Sequence, residues 1–491
     1  MFPFADLLEL DRQSTQPLYL QVCNGLVKLI QKGQLGPGTR LPGSRVLAAQ
    51  LQLNRNTVAR AIDELAAQGW LELRPKRGAF VATSLPWHQP QQWTDGAMRP
   101  LVDTPFNFHV FSHIEPPTAG SALVGFDDGL PDVRLAPIEE LARSYARNLR
   151  QAAKYFKLGY QDGRGSPKLR KALATMLNET RGLPVRADNL LITRGTVMAI
   201  HLAIASCVRP GDRVVVGETN YQTANMLVRH YGGELRTVPV DTDGLRVDAL
   251  EKRVKRESIR AVYLTSHHHH PTTVTLSPER RLRLLELARQ YNFALLEDDY
   301  DYDFHYDNRP VLPLASGDAR DRTFYFGSFT KVIAPAFRVG FLMGPSAIMP
   351  EIPRLRRVFD RQGDPVLENA IADLLLDGTI RRHQKKSWRV YRDRRDHLCH
   401  LLDTHLSDWV QYEKPRGGLA VWVHFDDRLP VAALSEHMRR RGYYFSDGQP
   451  YQPLSGRVNA VRMGFASMNP TEMERGVELL AGVVKSMVGK R

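Results

Sequence analysis

Phe324-Tyr325-Phe326-Gly327-Ser328-Phe329-Thr330-Lys331 is the stretch whose reading decides the fold. Phe324–Gly327 is a short apolar run that predicts a buried strand, and hydroxyls and an amine follow it. A lysine just past a strand is most often a surface residue. Where the strand end is enclosed, however, desolvation lowers the amine's pKa and makes it a nucleophile. Arg338 follows in the same segment, after Pro335, and offers an anion a two-pronged fork. Moving outward, further apolar runs predict strands at Arg213–Val216, Ala261–Thr265, Phe293–Glu297 and Phe341–Met343, with amphipathic helices between them. That alternation implies an α/β fold with a mostly parallel sheet covered by helices. From about Gln411 strands and helices mix, as expected of a smaller lobe.

Other groups fall at matching places. Asp298 ends the predicted strand Phe293–Glu297, inside Glu297-Asp298-Asp299-Tyr300-Asp301. A solvated acidic loop is the plain alternative, but the buried strand before it argues against that. Gly195-Thr196 opens an apolar helix, where free amides and the helix dipole favour a phosphate. Ser328 adds a hydroxyl, Tyr300 a phenol, and Tyr221 an aromatic ring just past Val214-Val215-Val216-Gly217-Glu218. The set comprises an imine-forming lysine (Lys331), phosphate binders, a carboxylate for a ring nitrogen, a donor for a ring oxygen and a stacking ring. Pyridoxal 5'-phosphate needs these parts in an aminotransferase-type site.

The first 83 residues read differently. Gln16–Gln31 carries Leu18, Val22, Leu26 and Ile30 at helical spacing, and Gly33 stops it. A short helix over Ser44–Leu51 is followed by one opening at Asn54, with Val58, Ala61, Ile62 and Leu65 as its apolar stripe. Trp70–Leu73 and Ala79–Val81 predict two strands joined by Arg74-Pro75-Lys76-Arg77-Gly78. Arg55, Asn56, Thr57 and Arg60 lie off the stripe, where a recognition helix meets base edges and phosphates. Arg45 opens the preceding helix, and Arg77-Gly78 form the tip of a basic wing. A small protein-binding module with solvated charges would have the same outline. The formal net charge of +14 favours an anionic partner.

Sequence detail narrows this further. Pro37-Gly38-Thr39-Arg40-Leu41-Pro42-Gly43-Ser44-Arg45, Asn56-Thr57-Val58 with Leu65-Ala66-Ala67-Gln68-Gly69, and Arg77-Gly78-Ala79-Phe80-Val81 resemble the opening, recognition helix and wing of the GntR regulators. With the pyridoxal phosphate set, the whole chain resembles the MocR/GabR subfamily: a winged helix-turn-helix fused to a fold-type I aminotransferase-like domain. The resemblance implies a DNA-binding domain over 1–83, a linker over 84–120 and an effector domain over 121–491. It implies a regulator that binds double-stranded promoter DNA, senses an amino compound or the cofactor itself, and forms a head-to-tail homodimer. Within it, Tyr160 in Tyr160-Gln161-Asp162-Gly163-Arg164-Gly165 matches a tyrosine that reaches the partner subunit's phosphate, and Arg462 matches the arginine that holds a substrate carboxylate. Arg381-Arg382-His383, Arg389, Tyr391 and Arg394-Arg395 resemble the family's basic helix, which as a solvated face or a second DNA-facing surface stays open.

Two departures stand out. Thr223 replaces an effector-binding arginine of some members. His267-His268-His269-His270-Pro271 replaces an "HQ-aromatic-P" segment; one of the four histidines, taken as His270, is expected along the cofactor's oxygen edge, and which of them meets it stays open. Consecutive histidines cannot all face one ion, so no metal is expected. Cys23, Cys207 and Cys399 show neither disulfide nor metal spacing, and no run reaches the ~18 apolar residues of a membrane helix. A cytoplasmic protein is expected, nucleoid-associated when bound to DNA. Catalysed transamination by the same residues is the rival expectation.

Overall fold

The computed structural model describes residues 2–8, 10–86, 107, 114, 123–155, 158–306 and 311–489. Apart from residues 84–86, 107 and 114, the expected linker 84–120 lies outside them. The chain divides into two compact units, Met1–His109 and Val110–Arg491.

In the first unit, helices Leu18–Gln31, Ser44–Leu51 and Arg55–Ala67 pack around Val22, Leu26, Leu47, Val58 and Leu65, all fully buried. Asn54 caps the last helix, its side-chain oxygen accepting from the Asn56 amide at 2.9 Å. The hairpin pairs Leu71–Arg74 with Gly78–Val81. Two features go beyond the sequence expectation. A turn of helix at Phe4–Leu7 inserts Phe4 and Leu8 into this core. The extended segment before Leu41 also pairs with the wing, the Leu41 amide donating to the Ala79 carbonyl and the Val81 amide to the Thr39 carbonyl.

The second unit is built on a seven-stranded sheet in the order Leu190–Thr193, Gly340–Met343, Thr323–Ser328, Ala294–Asp298, Ala261–Leu264, Arg213–Gly217, Glu234–Val238. Gly340–Met343 is antiparallel to both its neighbours, and the other pairings are parallel. Val214, Val215 and Val216 are fully buried in succession, as expected where helices cover both faces. A second lobe carries the antiparallel sheet Val410–Tyr412, Ala420–Phe425, Ala460–Gly464. Gly125–Phe126, from the start of this unit, pairs with Tyr444–Phe445 of that lobe. Among the described residues no helix is long and apolar enough to cross a membrane.

Candidate cofactor site and DNA-facing surface

Parallel α/β sheets bind ligands beyond the carboxyl ends of their strands, where helix N-termini and loops converge. Here that edge holds a cavity of about 150 Å³ lined by Lys331, Asp298, Tyr300, Tyr221, Thr196, Ser328, Arg338 and His270, together with Asp128, Val197, Thr265 and Thr330. Asp298 is the last residue of its strand and is buried. Its Oδ2 accepts from the Tyr263 hydroxyl at 2.8 Å, while Oδ1 is buried without a hydrogen-bond partner among the described residues. Burial pushes this carboxyl up to about 7, Tyr263 opposing and Asp299 and Asp301 adding to the rise. Lys331 Nζ donates to the Gly129 carbonyl at 2.7 Å. Burial lowers its pKa from the ordinary lysine value, against the pull of Asp128.

At the opposite side, Gly195 caps the helix Thr196–Cys207 at φ +76°. A Cβ there would lie 2.8 Å from the guanidinium of Arg338, so only glycine lets that cation close over the helix N-terminus. Arg338 donates to the Arg194 carbonyl at 3.0 Å. Ser328 Oγ accepts from the Thr330 amide, while Thr330 Oγ1 is buried and has no hydrogen-bond partner among the described residues. The rings of Tyr221 and His270 meet edge to face, 5.5 Å apart.

The far wall is closed by Asp128, to which His270 Nε2 comes within 3.2 Å and the Tyr451 hydroxyl donates at 3.1 Å. Enclosure works against this charge, but His270, Arg462 and Lys331 together hold the Asp128 carboxyl well below its usual range. Arg462 itself, 1 % exposed, does not line the cavity. Its Nε lies 2.9 Å from Asp128 Oδ1 and its Nη1 donates to the Pro271 carbonyl. Tyr160 also stands outside, 73 % exposed, with the Arg361 guanidinium 3.7 Å from its ring centroid. The Tyr300 hydroxyl, expected to face a ring oxygen, donates to the His268 carbonyl at 2.9 Å.

The remaining histidines each take a separate partner: His267 faces Asp299, His268 faces Asp301, and His269 faces Thr272. The helix Thr379–Leu406 splits the basic residues expected on one face. Arg381, Arg382 and Arg389 are exposed, whereas His383, Tyr391, Arg394 and Arg395 are buried. Of the buried ones, Arg394 pairs with Asp132 at 2.9 Å.

In the first unit Arg45, Arg55, Asn56, Arg77 and Gly78 are exposed and Thr57 is half-buried. Arg60 is exposed but stacks on Tyr19, its guanidinium carbon 3.9 Å from the ring centroid. That packing ties Arg60 to the helix Leu18–Gln31 while leaving it off the apolar stripe of the recognition helix.

Residues 130–480 match the family described as aminotransferase class I and II, and residues 18–81 match the bacterial regulatory proteins of the gntR family. The chain is 25% identical over 481 residues to the HTH-type transcriptional regulator YisV of Bacillus subtilis, covering 97% of this chain and 98% of that one. It is 27% identical over 474 residues to the probable rhizopine catabolism regulatory protein MocR of Rhizobium meliloti, covering 96% and 95%. The chain belongs to the aminotransferase class I and II family, and with its GntR module to the MocR/GabR subfamily of GntR regulators. In fold, this MocR-type regulator resembles the α-aminoadipate aminotransferase LysN of Thermus thermophilus, solved with N-(5'-phosphopyridoxyl)-L-leucine. The TM-score is 0.70 at 27% identity, over 75% of this chain and 94% of that one.

The family implies pyridoxal phosphate, and the cavity of the MocR-type domain fits it on its own chemistry. Asp298 Oδ1 lacks the donor that a ring N–H would supply. The glycine at 195 keeps open an anion cradle between a helix N-terminus and Arg338. Sequence reading passed over Asp128 and the hydroxyls of Thr265 and Thr330. For Asp128 the available signal was the acid pair Asp127-Asp128 set against Gly129, well away from the apolar strand ends.

Proposed function

We propose that this MocR-type regulator senses a primary amine at Lys331 and converts its binding into altered affinity for double-stranded promoter DNA. The observation that carries the reading is Lys331, with its lowered pKa, facing Asp298 across one cavity in a chain that also bears a GntR module. When bound, pyridoxal phosphate supplies an electrophilic, electron-withdrawing centre for amine chemistry. Asp298 would hold the ring nitrogen, Tyr221 would stack, and Arg338, Ser328 and the amides at Gly195-Thr196 would hold the phosphate. Tyr300 and His270 would line the oxygen edge, and Lys331 would hold or release a proton at Nζ. Arg462 is the cation for an acidic group of the effector.

The protein works in the cytoplasm, on the nucleoid when bound to DNA, as a head-to-tail homodimer in which Tyr160 reaches the partner's phosphate site. Supporting the dimer, Tyr155, Leu158, Val358 and Phe359 are exposed apolar residues close in sequence to Tyr160 and its contact Arg361. Coupling to DNA requires only that the effector bind one arrangement of the protein better than another. The test is a titration of cofactor-loaded protein with amines, read in parallel by cofactor absorbance and by affinity for its promoter fragment. Amines that move the absorbance should also move the affinity; absorbance changes that leave DNA affinity flat would remove the sensing role. A second reading, transamination, is favoured by the likeness to LysN. It predicts sustained conversion of a 2-oxo acid in the presence of an amine donor.

A further inference from the structure

The cation assigned to the effector's acid is already occupied by the chain itself. Arg462 Nε lies 2.9 Å from Asp128 Oδ1, and the same carboxylate receives the Tyr451 hydroxyl and faces His270. Arg462 is buried on the strand Ala460–Gly464, so its guanidinium has little freedom to seek another partner. The Asp128 side chain, by contrast, is half-exposed and lines the cofactor cavity.

The backbone that carries Asp128 is pinned on both sides. Asp127 accepts from the Ser467 hydroxyl at 2.6 Å, and its carbonyl takes the Gly464 amide at 2.8 Å. Asp132 is held by Arg394 at 2.9 Å and by Arg134 at 2.8 Å. Between these anchors, the Gly129 carbonyl takes Lys331 Nζ, and a Cβ at Gly129 would come within 3.3 Å of Arg462. The segment thus delivers one carboxylate to one arginine, beside the reactive amine.

We propose that Asp128 is a specificity-determining residue, an internal carboxylate that competes with the effector's acidic group for Arg462. The proposal rests on the reading of Arg462 as the effector's anion site and deepens it. An incoming carboxylate gains the charged hydrogen bonds of Arg462 only by turning Asp128 away. Most of the advantage that an acid would give an amino compound is therefore cancelled. Common amino acids then bind little better than plain amines. An effector succeeds when its acidic group outcompetes a tethered carboxylate, as a second acidic oxygen or a better-matched length would allow. Such a threshold suits a sensor whose lysine chemistry is indifferent to which primary amine arrives.

The test uses propionate, an acid without an amine, titrated calorimetrically into the cofactor-loaded protein. Asp128→Asn keeps the shape and removes the charge. It should bind propionate at least about tenfold more tightly than the parent, the scale of relieving one close charge pair. Adding Arg462→Gln to that background should erase the gain. Asp128→Ser carries the same expectation and serves if the asparagine variant fails to fold. Equal propionate affinity in the parent and both single variants, or a gain that survives Arg462→Gln, overturns the proposal. Ethylamine separates the underlying reading, because it needs Lys331 but no acid site. If ethylamine leaves the parent's cofactor absorbance unchanged, amine sensing fails whatever propionate does.

Discussion

The recognition helix and the cofactor cavity keep their functional side chains in opposite relations to the core. On the helix Arg55–Ala67, Val58, Ala61, Ile62 and Leu65 face inward, and Arg55 and Asn56 stand in solvent. Folding and function occupy different faces of one element. In the cavity, Asp298 and His270 are buried within the layers that hold the sheet together. There a group needed for a ligand is also a group whose desolvation the folded state must bear. Substitutions on the helix should therefore change binding alone, and substitutions in the cavity should change binding and stability together.

The largest effect expected is from Lys331→Ala. The parent, loaded with cofactor, should absorb in the long-wavelength band of a lysine-bound cofactor and look yellow; the variant should lose that band entirely. A band of unchanged position and strength in the variant would move the attachment point elsewhere.

Next comes Asp298→Asn in cofactor-free protein. Its folded carboxyl is raised to about 7 from the usual 3.8, first by burial and then by Asp299 and Asp301, so between those values the native state keeps a proton that the unfolded chain releases. Stability contributed by the protonated form is present at low pH and lost as pH rises toward 7, on the order of a few kcal/mol. Asparagine has no proton to release, so urea unfolding of the variant should flatten over this interval and overtake the parent near pH 8. Parallel pH curves for the two proteins would falsify the raised, buried carboxyl.

A smaller change is expected on the DNA side. Arg55→Ala should cost about 1–3 kcal/mol on the specific site if the side chain is bidentate to a base. Its melting temperature should match the parent's, because Arg55 is exposed. Equal weakening on specific and random DNA, or a clear drop in melting temperature, would blur the separation of faces. The smallest effect is expected from Arg77→Ala. It should weaken all sequences alike and reduce the slope of log affinity against log salt by about 1. Gel-shift or anisotropy titrations at several salt concentrations check this.

Several groups that line the cavity were legible in the sequence because they sit at the end of an apolar strand or at the start of an apolar helix. Asp298, Ser328 and the helix start at Gly195-Thr196 could be placed from local pattern alone. The strands Leu190–Thr193 and Glu234–Val238 went unread for opposite reasons. The first is three apolar residues and a threonine, too short for periodicity to separate strand from helix; the second carries Glu234 and Arg236 on an edge position. The pairing of Asp128 with Arg462 brings together opposite ends of the effector domain, and no local pattern encodes such a meeting. The stacking of Arg60 on Tyr19 was not legible, because amphipathic spacing shows which way a side chain points but not what lies beneath it.

Lys331 and Arg338 ride on a single loop whose ends are tied by the pairing of Ser328 with Gly340 and by the Phe329 amide donating to the Val339 carbonyl at 2.9 Å. The gap between the amine and the guanidinium is thus gauged by backbone register, much as the jaws of a caliper are set by its scale. Lengthening or shortening this loop by one residue would reset that gauge while leaving every charge in place. Indels between Phe329 and Val339 should accordingly be far less tolerated than side-chain exchanges at the same positions.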